Sequence, residues 1–181
     1  MIIHKSCFMK TSPYYLLLIG ILGAAACSKN NDSSPVLDRR DATFMVVAAQ
    51  GNVNEITFGK LADSISATAS IKTFARQMVT DHQGALDELL GIARDKTLGL
   101  DQVMDSAHKI IYPKLGALRG YEFDTAYIKG QVRDHQQTID VFQFQADSGY
   151  DGRLKAYAAK YLPVIRMHAK HADSLAALYP Q

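Results

Sequence analysis

Four polar side chains stand where apolar ones would pack better: Glu55, His82, His135 and His168. Each interrupts a stripe of apolar residues stepping by three and four, the spacing of one face of an α-helix. Glu55 falls among Phe44, Ala48, Gly51, Phe58, Ala62 and Ile65, and His82 among Ile71, Ala75, Met78, Ala85, Leu89 and Ile92. His135 falls among Ile128, Val132, Ile139, Phe142 and Ala146; His168 among Leu154, Ala158, Tyr161, Ile165, Ala172, Leu175 and Tyr179. A lone histidine on an apolar face is more often a hydrogen-bonded core residue than a ligand, but here one polar residue recurs in every stripe. A carboxylate leaves water at a cost unless it is paired or bound to a metal. Three imidazoles and a carboxylate in an apolar interior would suit a divalent transition metal such as zinc, iron or copper. A metal-free cluster, with Glu55 paired to protonated histidines, accounts for the same residues, and both readings stand on the sequence.

The spacing offers a geometric test. Residues equidistant from the turn of an antiparallel hairpin share one level. The midpoint of Glu55 and His82 falls in the small-residue turn "SATAS" at 66–70, and that of His135 and His168 in "SGYDG" at 148–152. Each pair is therefore expected to face across its own hairpin, about 20 and 25 Å of helix from the turn at ~1.5 Å per residue. With the two turns at opposite ends of a bundle, both pairs reach mid-height. His171, one turn beyond His168, is a candidate fifth ligand or a rim residue, and the rim is expected. Asp81 and Asp134 lie about 100° round the helix from the adjacent histidines. From there they could accept a ring N–H from a neighbouring helix, but solvated positions are the expectation. His108 has no partner identifiable from the sequence.

The elements that must carry these residues are all helical; no alternating strand pattern runs through the chain. The periodicity predicts helices over 41–64, from the end of "SATAS" onward, over 123–147, and after "SGYDG". The connection at 97–122 is much longer than the other two and is expected to hold a short helix near 103–118, interrupted at Pro113. Pro163 lies inside the last helix, where a kink about one turn earlier is expected. Four long helices with one long connection between the second and third predict an all-α, ferritin-like four-helix bundle with a crossover.

The first residues carry a different message. Lys5 and Lys10 precede the apolar run "LLLIGILGAAA" at 16–26, which is too short to span a bilayer, and Cys27 follows at once. This arrangement resembles a bacterial lipoprotein signal, with Ala24 where leucine is usual. It implies a signal peptide over 1–26, a lipid-carrying Cys27 and a polar tether over 27–37 ("SKNNDSSP" within it). One domain over 38–181 follows. Ser28 offers no retention signal for an inner membrane, so the expected location is the outer membrane, with the lipid as membrane partner. Ordinary secretion is the alternative. Removing the signal takes away two lysines and leaves 18 basic against 18 acidic residues. A neutral chain without a basic block does not predict nucleic-acid binding. The two cysteines, Cys7 and Cys27, provide no disulfide framework for the domain.

The fragments "NEITFGKLA", "IKTFARQMVTDHQ", "FDTAYIKGQVRDHQ" and "LPVIRMHAKHADSL", in that order, resemble a bacterial exported family catalogued as domain of unknown function 4142. The resemblance spans most of 40–178 and implies a ferritin-like bundle in the cell envelope; it brings no reaction with it. Di-iron proteins of that fold present Glu-x-x-His pairs, whereas Val79, Val132 and Ile165 stand three positions before His82, His135 and His168. Ferroxidase or di-iron oxidase chemistry is therefore not expected. The sequence contains no phosphate loop and no nucleophile elbow that would name an enzyme.

Overall fold

The computed structural model describes residues 37–180, which form five α-helices and, among the described residues, no strand. The signal segment, Cys27 and all of the expected tether but Leu37 lie outside the described residues. The helices are α1 (Arg39–Ile65), α2 (Ala69–Asp95), α3 (Ser106–Ala117), α4 (Gly120–Ser148) and α5 (Gly152–Ala176). Their starts are written in the sequence. Asp38, Asp105 and Asp151 each accept a backbone N–H from the first turn of α1, α3 and α5, satisfying donors that have no partner inside the helix. Gly120 opens α4 with φ +57°, a left-handed conformation that glycine adopts without a Cβ clash.

Helices α1 and α2 form one long hairpin and α4 and α5 the other, with α1 packed beside α4 and α2 beside α5. The α1–α2 approach is close: a Cβ on Gly59 would sit 2.8 Å from the Ala75 carbonyl oxygen. The hairpin turns lie at opposite ends. At one end the Thr68 hydroxyl donates to Asp124 at the start of α4. At the other, buried Asp41 in the first turn of α1 accepts from the Gln145 side chain and from the backbone N–H groups of Tyr150 and Asp151. The chain between α2 and α4 consequently travels from one end of the bundle to the other, with α3 lying against α1 and α4.

Two apolar clusters fill the interior. One, around Phe44, Leu89, Phe142, Leu154 and Tyr157, occupies the Asp41 end; the other, around Phe58, Phe74, Met78, Phe123 and Tyr127, occupies the Thr68 end. The polar residues singled out above lie between them.

Several boundaries differ from the sequence expectation. The first turn is only Ser66–Thr68, two residues shorter than "SATAS", because α2 begins at Ala69. α3 runs unbroken through Pro113. Proline removes one N–H and frees one carbonyl, and on this exposed helix water can take that carbonyl. α5 likewise continues through the exposed Pro163. Tyr179 lies beyond the end of α5, but it is still buried and donates its hydroxyl to Asp124.

Candidate metal centre

His82 from α2, His135 from α4 and His168 from α5 meet at mid-bundle. Their ring centroids are 5.4, 5.5 and 5.8 Å apart, and one ring nitrogen of each lies within 4.8 Å of the other two. All three rings are buried; His135 and His168 are 1% exposed.

The outward nitrogens are fixed by partners that can only accept. His135 Nδ1 donates to the Gln131 carbonyl one turn back (2.9 Å), and His168 Nε2 donates to the Asp81 carboxylate (2.8 Å). His82 Nδ1 faces Asn52 Oδ1 at 2.8 Å. The orientation of that amide is set by a chain of hydrogen bonds: the Tyr157 hydroxyl donates to the Ala85 carbonyl (3.1 Å) and so accepts from Asn52 Nδ2 (3.3 Å). In a neutral ring the other nitrogen then carries a lone pair and no proton. Those nitrogens are His82 Nε2, His135 Nε2 and His168 Nδ1, and each is buried without a hydrogen-bond partner. In neutral rings these three nitrogens carry lone pairs, and none has a proton to offer another.

The electrostatics favour the neutral form of His82 and of His168. Burial first, then the neighbouring His135 and His168, hold His82 well below the usual imidazole range. Burial also lowers His168, although Asp81 pulls the other way. These shifts follow from the cost of charge in a low dielectric.

Glu55 lies beside the triad, not within it. Its Oε1 is 3.9 Å from His135 Nδ1, the outward nitrogen, and its Oε2 is buried without a partner. Burial raises its pKa, with His135 and a Gln131 hydrogen bond opposing. The shortened turn explains the displacement: the midpoint of residues 52 and 82 is residue 67, at the centre of Ser66–Thr68, so His82 meets Asn52 rather than Glu55. His171 lies away from the centre, with its ring edge-on to Phe74 at 5.1 Å.

Asp81 corrects another expectation. It is not merely solvated but orients the His168 ring. Asn52 and Gln131, which fix the other two rings, carried no signal in the apolar stripes. His108 acquires partners as well: Nδ1 donates to the Asp105 carboxylate at 2.7 Å, which also accepts from Asn54 Nδ2, and Nε2 lies 3.4 Å from Asp134. The triad, Glu55 and this His108 cluster line one cavity of about 280 Å³, with Ala48, Ala85, Phe142 and Ile165 among its apolar walls.

Comparison with known proteins gives a family and a fold. The family described as Domain of unknown function (DUF4142) matches residues 26–175. No curated protein matches the chain in sequence. Among solved structures, a DUF305 fragment from Deinococcus radiodurans superposes with a TM-score of 0.71 at 9% identity, over 79% of this chain and 99% of that one. CopM in its Cu(II)-bound form superposes with a TM-score of 0.63 at 13% identity, over 77% and 97%. At such identities the likeness is one of helical fold, and it assigns no ligand to any residue here.

Proposed function

The chain belongs to the DUF4142 family, and we propose that in this protein His82, His135 and His168 hold a divalent transition metal. The observation that carries the reading is the set of three buried imidazoles from α2, α4 and α5, with one ring nitrogen of each within 4.8 Å of the other two and one nitrogen of each without a hydrogen-bond partner. Lone pairs held this close repel one another; a cation at their centre removes the repulsion and satisfies all three. Asp81, Asn52 and the Gln131 carbonyl supply the outer hydrogen bonds that orient metal-ligating imidazoles. An all-imidazole donor set suits zinc, copper or iron. Three nitrogens at ~2.0–2.1 Å from a tetrahedral ion stand about 3.4 Å apart, so binding draws the rings slightly inward. It leaves one coordination position for water or a small ligand. The copper in the CopM structure belongs to that protein and adds only a shared fold.

The reading extends to location and architecture. The protein is a ferritin-like four-helix bundle with a crossover, exported and carried on a lipidated Cys27 in the bacterial envelope, with the outer membrane as its site. The signal-like segment ending at Cys27 supports the anchor, and a mature N-terminus at Ser28 or Lys29 by intact mass would exclude it.

Elemental analysis of the purified protein beside His82→Ala and His168→Ala tests the metal. Stoichiometric metal in the parent and none in either variant is expected. A parent that takes up no zinc, copper or iron on incubation would leave the triad as a buried polar network in a structural or partner-binding lipoprotein.

A further inference from the structure

The cavity that holds the triad is lined on its α3 side by Asp105 and His108, and little of α3 itself is buried. Of its twelve residues only Leu115 is buried, and Ile110 and Ile111 face solvent. Its polar attachments are concentrated at its first turn, while Leu115 and Tyr112 pack on the apolar cluster around Phe58. Asp105 caps the helix by accepting from the His108 N–H and also accepts from Asn54 Nδ2 at 2.7 Å. His108 sits between Asp105 and Asp134, with its ring edge-on to Phe58 at 5.4 Å. Asp134 is foremost in raising the His108 pKa, and Asp105 adds to it, as flanking carboxylates do for an imidazolium. The backbone turns sharply on either side of α3, at Thr97 with φ 56° just beyond α2 and at Gly120 with φ +57° where α4 opens.

The bundle residues of this attachment are sequence neighbours of the site. Asn54 precedes Glu55, and Asp134 precedes His135. A ring drawn inward at His135 moves the same helical turn that holds Asp134. We propose that Asn54, Asp105, His108 and Asp134 form a clasp through which α3 docking and metal retention at the triad are coupled. The clasp makes His108 a positioning residue for a site it does not touch. This inference rests on the metal reading above. Because coupling between two equilibria is reciprocal, a docked α3 slows metal loss, and bound metal holds α3 down.

The test measures metal release from the loaded full chain to excess chelator in the parent, His108→Ala and Leu115→Ala. Hydrogen exchange over residues 96–119 is followed in metal-free and loaded protein. His108→Ala removes the clasp, whereas Leu115→Ala loosens α3 without touching any polar group of it. Release about tenfold faster is expected in His108→Ala, on the scale of one charge-assisted hydrogen bond, and faster release than the parent is expected in Leu115→Ala as well. Exchange over α3 should quicken in both variants and slow in the parent on loading. Acceleration confined to His108→Ala would mean a local effect on Asp134 and would overturn the coupling, as would equal release in all three. Failure of the parent to take up metal would overturn the metal reading, and the coupling with it. Those results are distinguishable, since the first two require a parent that loads.

Discussion

The histidines of the triad and His108 line one cavity, yet their neighbours treat them in opposite ways. Each triad ring turns one nitrogen outward to an acceptor and leaves the other bare. His108 has a carboxylate at both nitrogens. Burial accordingly lowers His82 and His168, whereas Asp134 and then Asp105 lift His108. The same side chain is prepared in one place to give electron pairs and in the other to hold protons. The difference lies in burial and in what faces the second nitrogen. Two acid–base responses of opposite sign should therefore be measurable in one small protein.

The largest effect is expected at the triad. His82 and His168 have folded-state pKa values below the unfolded value of about 6.5. The unfolded chain thus binds more protons as pH falls below that point. Stability should be retained above pH ~6.5 and lost on acidification, with a limiting slope of about 1.4 kcal/mol per pH unit for each histidine. Denaturant unfolding of metal-free protein between pH 7.5 and 5 measures it. Substituting both histidines by leucine should remove this loss on acidification, and an unchanged acid limb in that variant would break the comparison.

His108 should respond in the other direction and more weakly, because its cluster is partly open to solvent. Its folded pKa is raised, so its contribution is full below pH ~6.5 and disappears as pH rises through the raised value. His108→Ala should cost roughly 1–2 kcal/mol at pH 6 and clearly less at pH 9. Equal losses at the two values would make the ring a packing element only. The smallest effect concerns Glu55, whose raised pKa means that stability declines as pH climbs from about 4.5. Glu55→Gln should stabilise metal-free protein at pH 7 by on the order of 1 kcal/mol, with the difference vanishing near pH 4.

What the sequence disclosed and what it withheld follow from where information sits on a helix. His82, His135 and His168 were legible because a buried imidazole breaks an apolar stripe at a position that periodicity alone defines. Their partners were not. Asp81 lies to the side of its stripe, and its role depends on how far α5 is rotated towards α2. Asn52 could have been found from the hairpin midpoint, had the turn been read as Ser66–Thr68; two extra turn residues pointed to Glu55 instead. His108 and Asp105 belong to a connection whose path no repeat specifies, and only the packing of α3 on α1 and α4 brings them to Asn54 and Asp134. The existence and order of the helices were set by patterns within each segment, and the contacts between segments by rotations and offsets that those patterns do not encode.

Asp41 has a mechanical consequence. Its carboxylate lies in the first turn of the helix through which the chain enters the bundle, and it grips Gln145, Tyr150 and Asp151 of the opposite hairpin. Tension arriving along the backbone at Asp38 therefore cannot peel away the first turn of α1 by itself. The load divides at Asp41 between two hairpins, and both must yield before the end of the bundle opens.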